Sequence, residues 1–148
     1  MSGPALGPLD DAVAYRLHRL DRLLLTHLAR QLRMIEDRLT PESYFVLSRI
    51  AHDAPVRQGD LVEPTLDDAP NVSRIVGGLV SAGLVDRAPD PADGRGRVLE
   101  LTDRGHAVVN RLADVIVDER RRVFSGIDPD ELDVLMSVFD RIEANLAA

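Results

Sequence analysis

The clearest pattern lies near the start of the chain. Between Leu9 and about Asp37, Val13, Leu17, Leu20, Leu24, Leu28, Leu32 and Ile35 recur at steps of three or four. That spacing puts them on one stripe of a long helix, with Arg16, Arg19, Arg22, Arg30 and Arg33 mostly off it. Thr40-Pro41 then marks a fresh start, because Thr40 can accept from free first-turn amides and Pro41 loses no hydrogen bond there. A second helix over Pro41 to about His52 has Phe45, Val46, Leu47 and Ile50 as its inner residues. A short third helix is expected over Gln58 to Leu66, and a fourth over Ala69 to Ala82, capped by Asp68 and stopped by Gly83. The inner face of the fourth is Val72, Ile75, Val76, Leu79 and Val80.

After Gly83 the period changes. Leu84 to Arg87 and Arg97 to Leu101 are short strand-like runs, and the turn-rich segment Ala88 to Gly96 between them makes a hairpin. Thr102 caps a fifth helix with the stripe Val108, Val109, Leu112, Val115, Ile116 and Val123. Asp128-Pro129-Asp130-Glu131 opens a sixth as a capping box, and Leu132, Leu135, Met136, Phe139, Ile142 and Leu146 form its apolar face. Residues 1–8, rich in Gly and Pro, read as a flexible tail.

The 148 residues suffice for one domain with a core of its own. Aromatics are 3% of the chain, so that core is aliphatic and suits helices. Cysteine is absent, which excludes disulfides, thiolate metal sites and cysteine nucleophiles. All 18 basic residues are Arg, so no lysine is available for a Schiff base or a phosphate loop. No apolar run is long enough to span a bilayer and no secretory leader is legible, so a cytoplasmic protein is expected. The net charge of −7 is spread so that only residues 1–38 are net positive, with six Arg against five acids. Nucleic-acid binding must therefore rest on the local placement of a few arginines rather than on bulk charge.

Two places supply such arginines. Helix, short helix, helix and hairpin is the order of a winged helix-turn-helix, whose second helix offers its solvent face to the major groove. Here that face carries Asn71, Ser73, Arg74, Gly77, Gly78 and Ser81, with one charge and no acid between Ala69 and Ala82. The hairpin tip, Gly94-Arg95-Gly96-Arg97, carries two guanidinium groups of the kind that enter a narrow minor groove. An acid-free solvent face and a tip built on glycine for backbone reasons, with Arg95 paired to Asp93, are the plainer alternatives.

The run Asn71-Val72-Ser73-Arg74-Ile75-Val76, with Leu79 and Gly83-Leu84-Val85-Asp86-Arg87, resembles the MarR family of bacterial transcription regulators. So does Asp90-Pro91-Ala92-Asp93-Gly94-Arg95 leading into Leu101-Thr102-Asp103-Arg104-Gly105. The resemblance implies a mainly α chain with a small β-hairpin wing. A winged helix-turn-helix over 40–104 would be joined to a helical dimerisation region formed by 9–39 and 105–148. It implies a homodimer on a pseudopalindromic operator, acting as a repressor or an activator, of which a repressor is the expectation, with affinity modulated by a small phenolic or anionic effector. By carry-over, Asn71, Ser73 and Arg74 contact the major groove, Arg95 the minor groove with Asp93 orienting it, and Arg97 the backbone. The exposed ends of the stripes, Val13, Leu17 and Leu20 in the first helix and Leu135, Phe139 and Ile142 in the last, would be covered by the second subunit.

Departures from the family pattern temper this. Pro64 falls inside the third helix, at a cost of about 3 kcal/mol unless that helix is kinked or already over. Gly77 and Gly78 stand where charged residues are usual, and Asp67 sits where it would repel phosphate. These features favour the alternative, a winged-helix interaction module that has lost DNA binding. Arg16, His18, Tyr44 and His52 are the candidate effector contacts, with His27 and His106 as further polar groups. No His pair has metal-ligand spacing, no nucleophile or nucleotide motif appears, and neither a cofactor nor an enzymatic activity is expected. Arg120-Arg121-Arg122 reads as neutralising the end of the fifth helix.

Overall fold

The computed structural model of the chain describes residues 7–8 and 11–148. Most of the expected tail, and Leu9 and Asp10 of the expected first helix, lie outside the described residues. The elements run α1 (Val13–Ile35), α2 (Pro41–Asp53), β1 (Val56–Arg57), a 3-10 turn (Gln58–Leu61), α3 (Val62–Thr65), α4 (Ala69–Ser81), β2 (Val85–Pro89), β3 (Arg97–Leu101), α5 (Asp103–Val123) and α6 (Pro129–Ala147). They fall into two compact units, Met1–Ala113 and Asp114–Ala148.

The helix boundaries follow the cap chemistry. Thr40 Oγ1 accepts from the Ser43 amide at 3.2 Å and Ser43 Oγ accepts from the Thr40 amide at 2.8 Å, a reciprocal box that starts α2. Asp68 Oδ1 accepts from the Asn71 amide at 2.7 Å and starts α4. Thr102 Oγ1 accepts from the Gly105 amide at 2.9 Å and starts α5. At α6 the Glu131 carboxylate accepts from the Asp128 amide at 3.1 Å. Gly83, at φ +74°, stops α4 in the left-handed region, and the Leu84 amide then donates to the Leu79 carbonyl at 3.0 Å.

The third helix departs from expectation. It is a 3-10 turn followed by one α turn that ends at Thr65, not a helix reaching Leu66. Pro64 is the third residue of that α turn, where backbone amides have no intrahelical partner, so the anticipated cost does not arise. Leu66 follows in the left-handed region at φ 52° and turns the chain toward α4.

The sheet also exceeds expectation. The hairpin is there, with Val85 opposite Leu101 and Pro89 opposite Arg97, so β2 runs on into residues read as turn. A third strand, β1, pairs antiparallel to the free edge of β3, with Val56 opposite Leu99, giving the order β1-β3-β2. The core of the first unit gathers Leu32, Leu47, Ile50, Leu61, Val76, Leu84 and Leu99, all fully buried. Each such side chain contributes roughly 1.5–3 kcal/mol. Two expected core residues lie outside it: Phe45 is 50% exposed and Val80 37%.

The α1 stripe has two destinations. Leu28, Leu32 and Ile35 reach the core, whereas Val13, Leu17, Leu20 and Leu24 stay exposed. In the second unit α6 buries none of its residues, and Val134, Leu135, Met136, Val138 and Leu146 are exposed.

Candidate nucleic-acid interface

The site is built around α4. Val72, Ile75, Val76 and Leu79 face the core, which turns Arg74, Gly78 and Ser81 outward with Asn71, Ser73 and Gly77 half-buried beside them. Polar bonds hold the helix at several points. At its C-terminal end Arg38 Nη1 donates to the Ser81 carbonyl at 3.1 Å and Arg104 Nη1 to the Ala82 carbonyl at 3.0 Å. Cations placed there also oppose the negative end of the helix dipole. Arg104 is itself tied to the Glu36 carboxylate at 2.7 Å. Farther up, Arg87 of β2 donates to the Ser73 carbonyl at 3.2 Å, joining the sheet to the middle of α4.

The outward face is not a set of free side chains. Asn71 Oδ1 accepts from Arg74 Nε at 3.0 Å and from Arg74 Nη2 at 2.6 Å, and Asn71 Nδ2 donates to Asp67 Oδ2. Asp67 Oδ1 accepts from the Asp68 amide at 2.9 Å. Glu42 of α2 stands 3.7 Å from Arg74 Nη2. Asp67, which the sequence presents as an unexplained repulsive charge, is thus a hydrogen-bond acceptor for both the backbone and Asn71.

The tip of the wing is shaped by two aspartates. Asp93 Oδ1 accepts from the main-chain amide of Arg95 at 3.1 Å, so Asp93 sets the backbone and makes no ion pair with the guanidinium. Among the described residues nothing engages the Arg95 guanidinium, while Arg97 Nη1 donates to the neighbouring Gly96 carbonyl at 3.5 Å. The anchor is Asp90, which sequence reasoning did not single out. It is 5% exposed, accepts from the Ala92 amide at 2.9 Å and pairs with Arg57 Nε of β1 at 2.7 Å. The Asp90 amide also donates to the Gly96 carbonyl at 3.0 Å, closing the hairpin loop. No sequence signal joins Arg57 to Asp90, because β1 is too short to show a period.

The candidate effector residues do not converge. An open cleft of about 600 Å³ is lined by Glu42, Phe45, Arg49, His52, Thr65 and Asp67. A smaller one of about 290 Å³ is lined by Thr40, Arg74, Gly78 and Leu84, among others. His52 borders the first; Arg16, His18 and Tyr44 border neither. Tyr44 instead packs against the core, its ring tilted on Phe45 with centroids 5.6 Å apart. His52 Nδ1 lies 2.7 Å from Asp53 Oδ1, and this bond is the main reason the Asp53 carboxyl is held below its ordinary value of 3.8. Among the described residues no group of His, Asp and Glu could hold a metal ion, and no helix is long and apolar enough to cross a membrane.

A helix held by its ends beneath an arginine-tipped hairpin defines a winged helix-turn-helix protein. Residues 39–96 match the model of the MarR family, and they span α2 through the wing tip. The solved structures agree over nearly the whole chain. The PcaV transcriptional regulator of Streptomyces coelicolor, solved with its natural ligand, is 26% identical over 97% of this chain and 99% of its own, with a TM-score of 0.81. The repressor CouR, bound to a 23-mer DNA duplex, is 24% identical over 96% of this chain and 99% of its own, with a TM-score of 0.84. A MarR variant from E. coli complexed with operator DNA is 23% identical over 88% and 92%, with a TM-score of 0.80. The last two share the fold. The family match and the common architecture make the chain similar to the MarR family of winged-helix transcription regulators.

Proposed function

We propose that the protein is a homodimeric, sequence-selective DNA-binding repressor. In this reading α4 lies in the major groove with Ser73 and Arg74 toward the bases and phosphates, and Arg95 enters the adjacent minor groove. Arg97 meets the backbone. The observation that carries it is the pairing of an acid-free outward face on α4 with a wing whose tip guanidinium is unengaged among the described residues. The DNA-bound states of CouR and of the E. coli MarR variant support the same use of the fold here.

The dimer rests on the unburied apolar faces of α1 and α6. Leu17, Leu20 and Leu24 form one helical stripe in a described chain that leaves them 37–57% open with their neighbour Leu23, which a second subunit would cover. We assign 40–104 to DNA binding and 9–39 with 105–148 to dimerisation. Control by a small phenolic or anionic molecule is supported by the ligand complex of PcaV, and His52 on the larger cleft is the effector candidate best placed to meet one. Such a regulator works where its operator is, in the cytoplasm.

The test is a gel shift with the DNA that flanks the protein's own coding region, over a salt series, using wild type, Arg74→Ala and Arg95→Ala. A selective, salt-sensitive complex lost in both variants supports the proposal. A complex with an unrelated protein that survives both substitutions, without any DNA shift, would favour an interaction module that has abandoned DNA.

A further inference from the structure

We infer that Asn71 is a positioning residue for Arg74 and not itself a base reader, and that Asp67 fixes its orientation. This rests on the DNA-binding reading above and specifies how its major-groove face is organised.

An asparagine amide can accept twice at Oδ1 and donate twice from Nδ2. To read adenine it needs one acceptor and one donor facing the base together. Here both acceptor positions of Asn71 are taken by Arg74, through Nε at 3.0 Å and Nη2 at 2.6 Å. One of its two donors is taken by Asp67. The amide cannot turn over to free its oxygen. A flipped amide would point Nδ2 at the donors of Arg74, which accepts nothing, and Oδ1 at the carboxylate of Asp67, which donates nothing. Asp67 is itself held by the Asp68 amide at 2.9 Å, at the base of α4. The chain Asp67, Asn71, Arg74 is therefore a relay with one permitted sense.

The relay leaves Arg74 with the edge that matters. A guanidinium has five N–H groups. Nε and one N–H of Nη2 are spent on Asn71, and Glu42 lies 3.7 Å from Nη2 as a nearby charge. Both N–H groups of Nη1 and the second of Nη2 remain. That Nη1–Nη2 edge is the fork that engages guanine O6 and N7 bidentately. The relay thus trades a reading amide for an arginine whose long side chain is ordered before it meets DNA, which lowers the entropy lost on binding.

The experiment starts from a duplex enriched out of a randomised library by full-length wild type. Wild type, Asn71→Ala, Arg74→Ala, Asp67→Ala and the Asn71→Ala/Arg74→Ala double variant are then titrated against that duplex and against each single base-pair replacement of it. If Asn71 positions Arg74, both single variants flatten discrimination at the same base pair. Arg74→Ala does so by about 5- to 150-fold, the range of one bidentate contact, and the double variant is no worse than Arg74→Ala. Asp67→Ala weakens discrimination partway at that same position. In parallel, the Arg74 Nε–H signal in the nitrogen-15 spectrum of the DNA-free protein is protected in wild type and loses protection in Asn71→Ala. The inference is overturned if Asn71→Ala flattens a different base pair additively with Arg74→Ala, or if the Arg74 signal ignores Asn71. A library that yields no enriched sequence while that signal does depend on Asn71 overturns the DNA reading itself.

Discussion

Among the described glycines, the one with least room for a side chain is Gly105. A Cβ there would lie 2.0 Å from the Leu84 carbonyl oxygen and 3.0 Å from its carbonyl carbon. Carbon and oxygen approach to about 3.3 Å even in favourable C–H···O contacts, so Gly105→Ala forces the start of α5 away from Leu84 by about 1.3 Å. That motion breaks the bond from the Thr102 amide to the Leu84 carbonyl, now 3.1 Å, and the bond from the Thr102 hydroxyl to the Gly83 carbonyl. Each lost bond costs about 1 kcal/mol and the overpacking about 1–3 kcal/mol. The helix preference for alanine returns about 1 kcal/mol, so the net loss is about 3 kcal/mol. Gly77 is the control: nothing lies within 4 Å of its Cβ position, so Gly77→Ala shows only the gain, about 1 kcal/mol. Urea unfolding at one fixed protein concentration separates the two. With a slope of about 2 kcal/mol per M, the midpoint falls by about 1.5 M for Gly105→Ala and rises by about 0.5 M for Gly77→Ala. A Gly105→Ala midpoint at or above that of wild type would refute the steric reasoning.

Other perturbations read other parts of the structure. Arg57→Ala leaves the buried Asp90 carboxylate without its ion pair. Because Arg57 is itself more than half exposed, the expected cost is only about 1–2 kcal/mol, with faster amide exchange in β3; unchanged exchange there would dismiss Asp90 as the wing's anchor. Arg104→Ala removes the bonds to the Ala82 carbonyl and Glu36 and costs about 1–2 kcal/mol in the same urea assay; no loss would mean the end of α4 needs no clamp. Leu20→Glu places a charge on the open α1 stripe and yields a single-chain mass by light scattering where wild type gives twice that mass. The Asp53 carboxyl, held low chiefly by its bond with His52, adds stability that is complete above pH 3.8 and is lost as pH falls through the lower folded value. An NMR titration should find Asp53 below 3.8 in wild type and shifted upward in His52→Ala, where Arg49 still holds it down, and an equal value in both proteins would remove His52 as the main cause.

Local chemistry was the most legible part of this sequence. Thr40-Pro41, Asp68, Gly83, Thr102 and Asp128 each mark a boundary that the structure keeps, because a cap acts within three or four residues of itself. What escaped was tertiary. A strand of two residues carries no period, so β1 and the Arg57–Asp90 pair it brings could not be seen. The exposure of Phe45 follows from how α2 meets its neighbours, which a helical stripe leaves undetermined to within a residue. Within the site, Arg74 and the Arg95 tip stood out by charge, whereas the partners of Asn71 did not. Part of the signal was present: Asn71 and Arg74 are spaced three apart, a distance at which side chains meet on a helix, with Asp67 just ahead of the cap Asp68.

The central claim is that two chains together grip one duplex through α4 and the wing. Fluorescence anisotropy of the library-enriched duplex, titrated with wild type from about 50 to 200 mM salt, addresses it directly. Two chains per duplex are expected, with preference over a scrambled duplex and an affinity that falls by more than about 100-fold across that interval. One chain per duplex, equal binding to the scrambled sequence, or an affinity indifferent to salt would contradict the account.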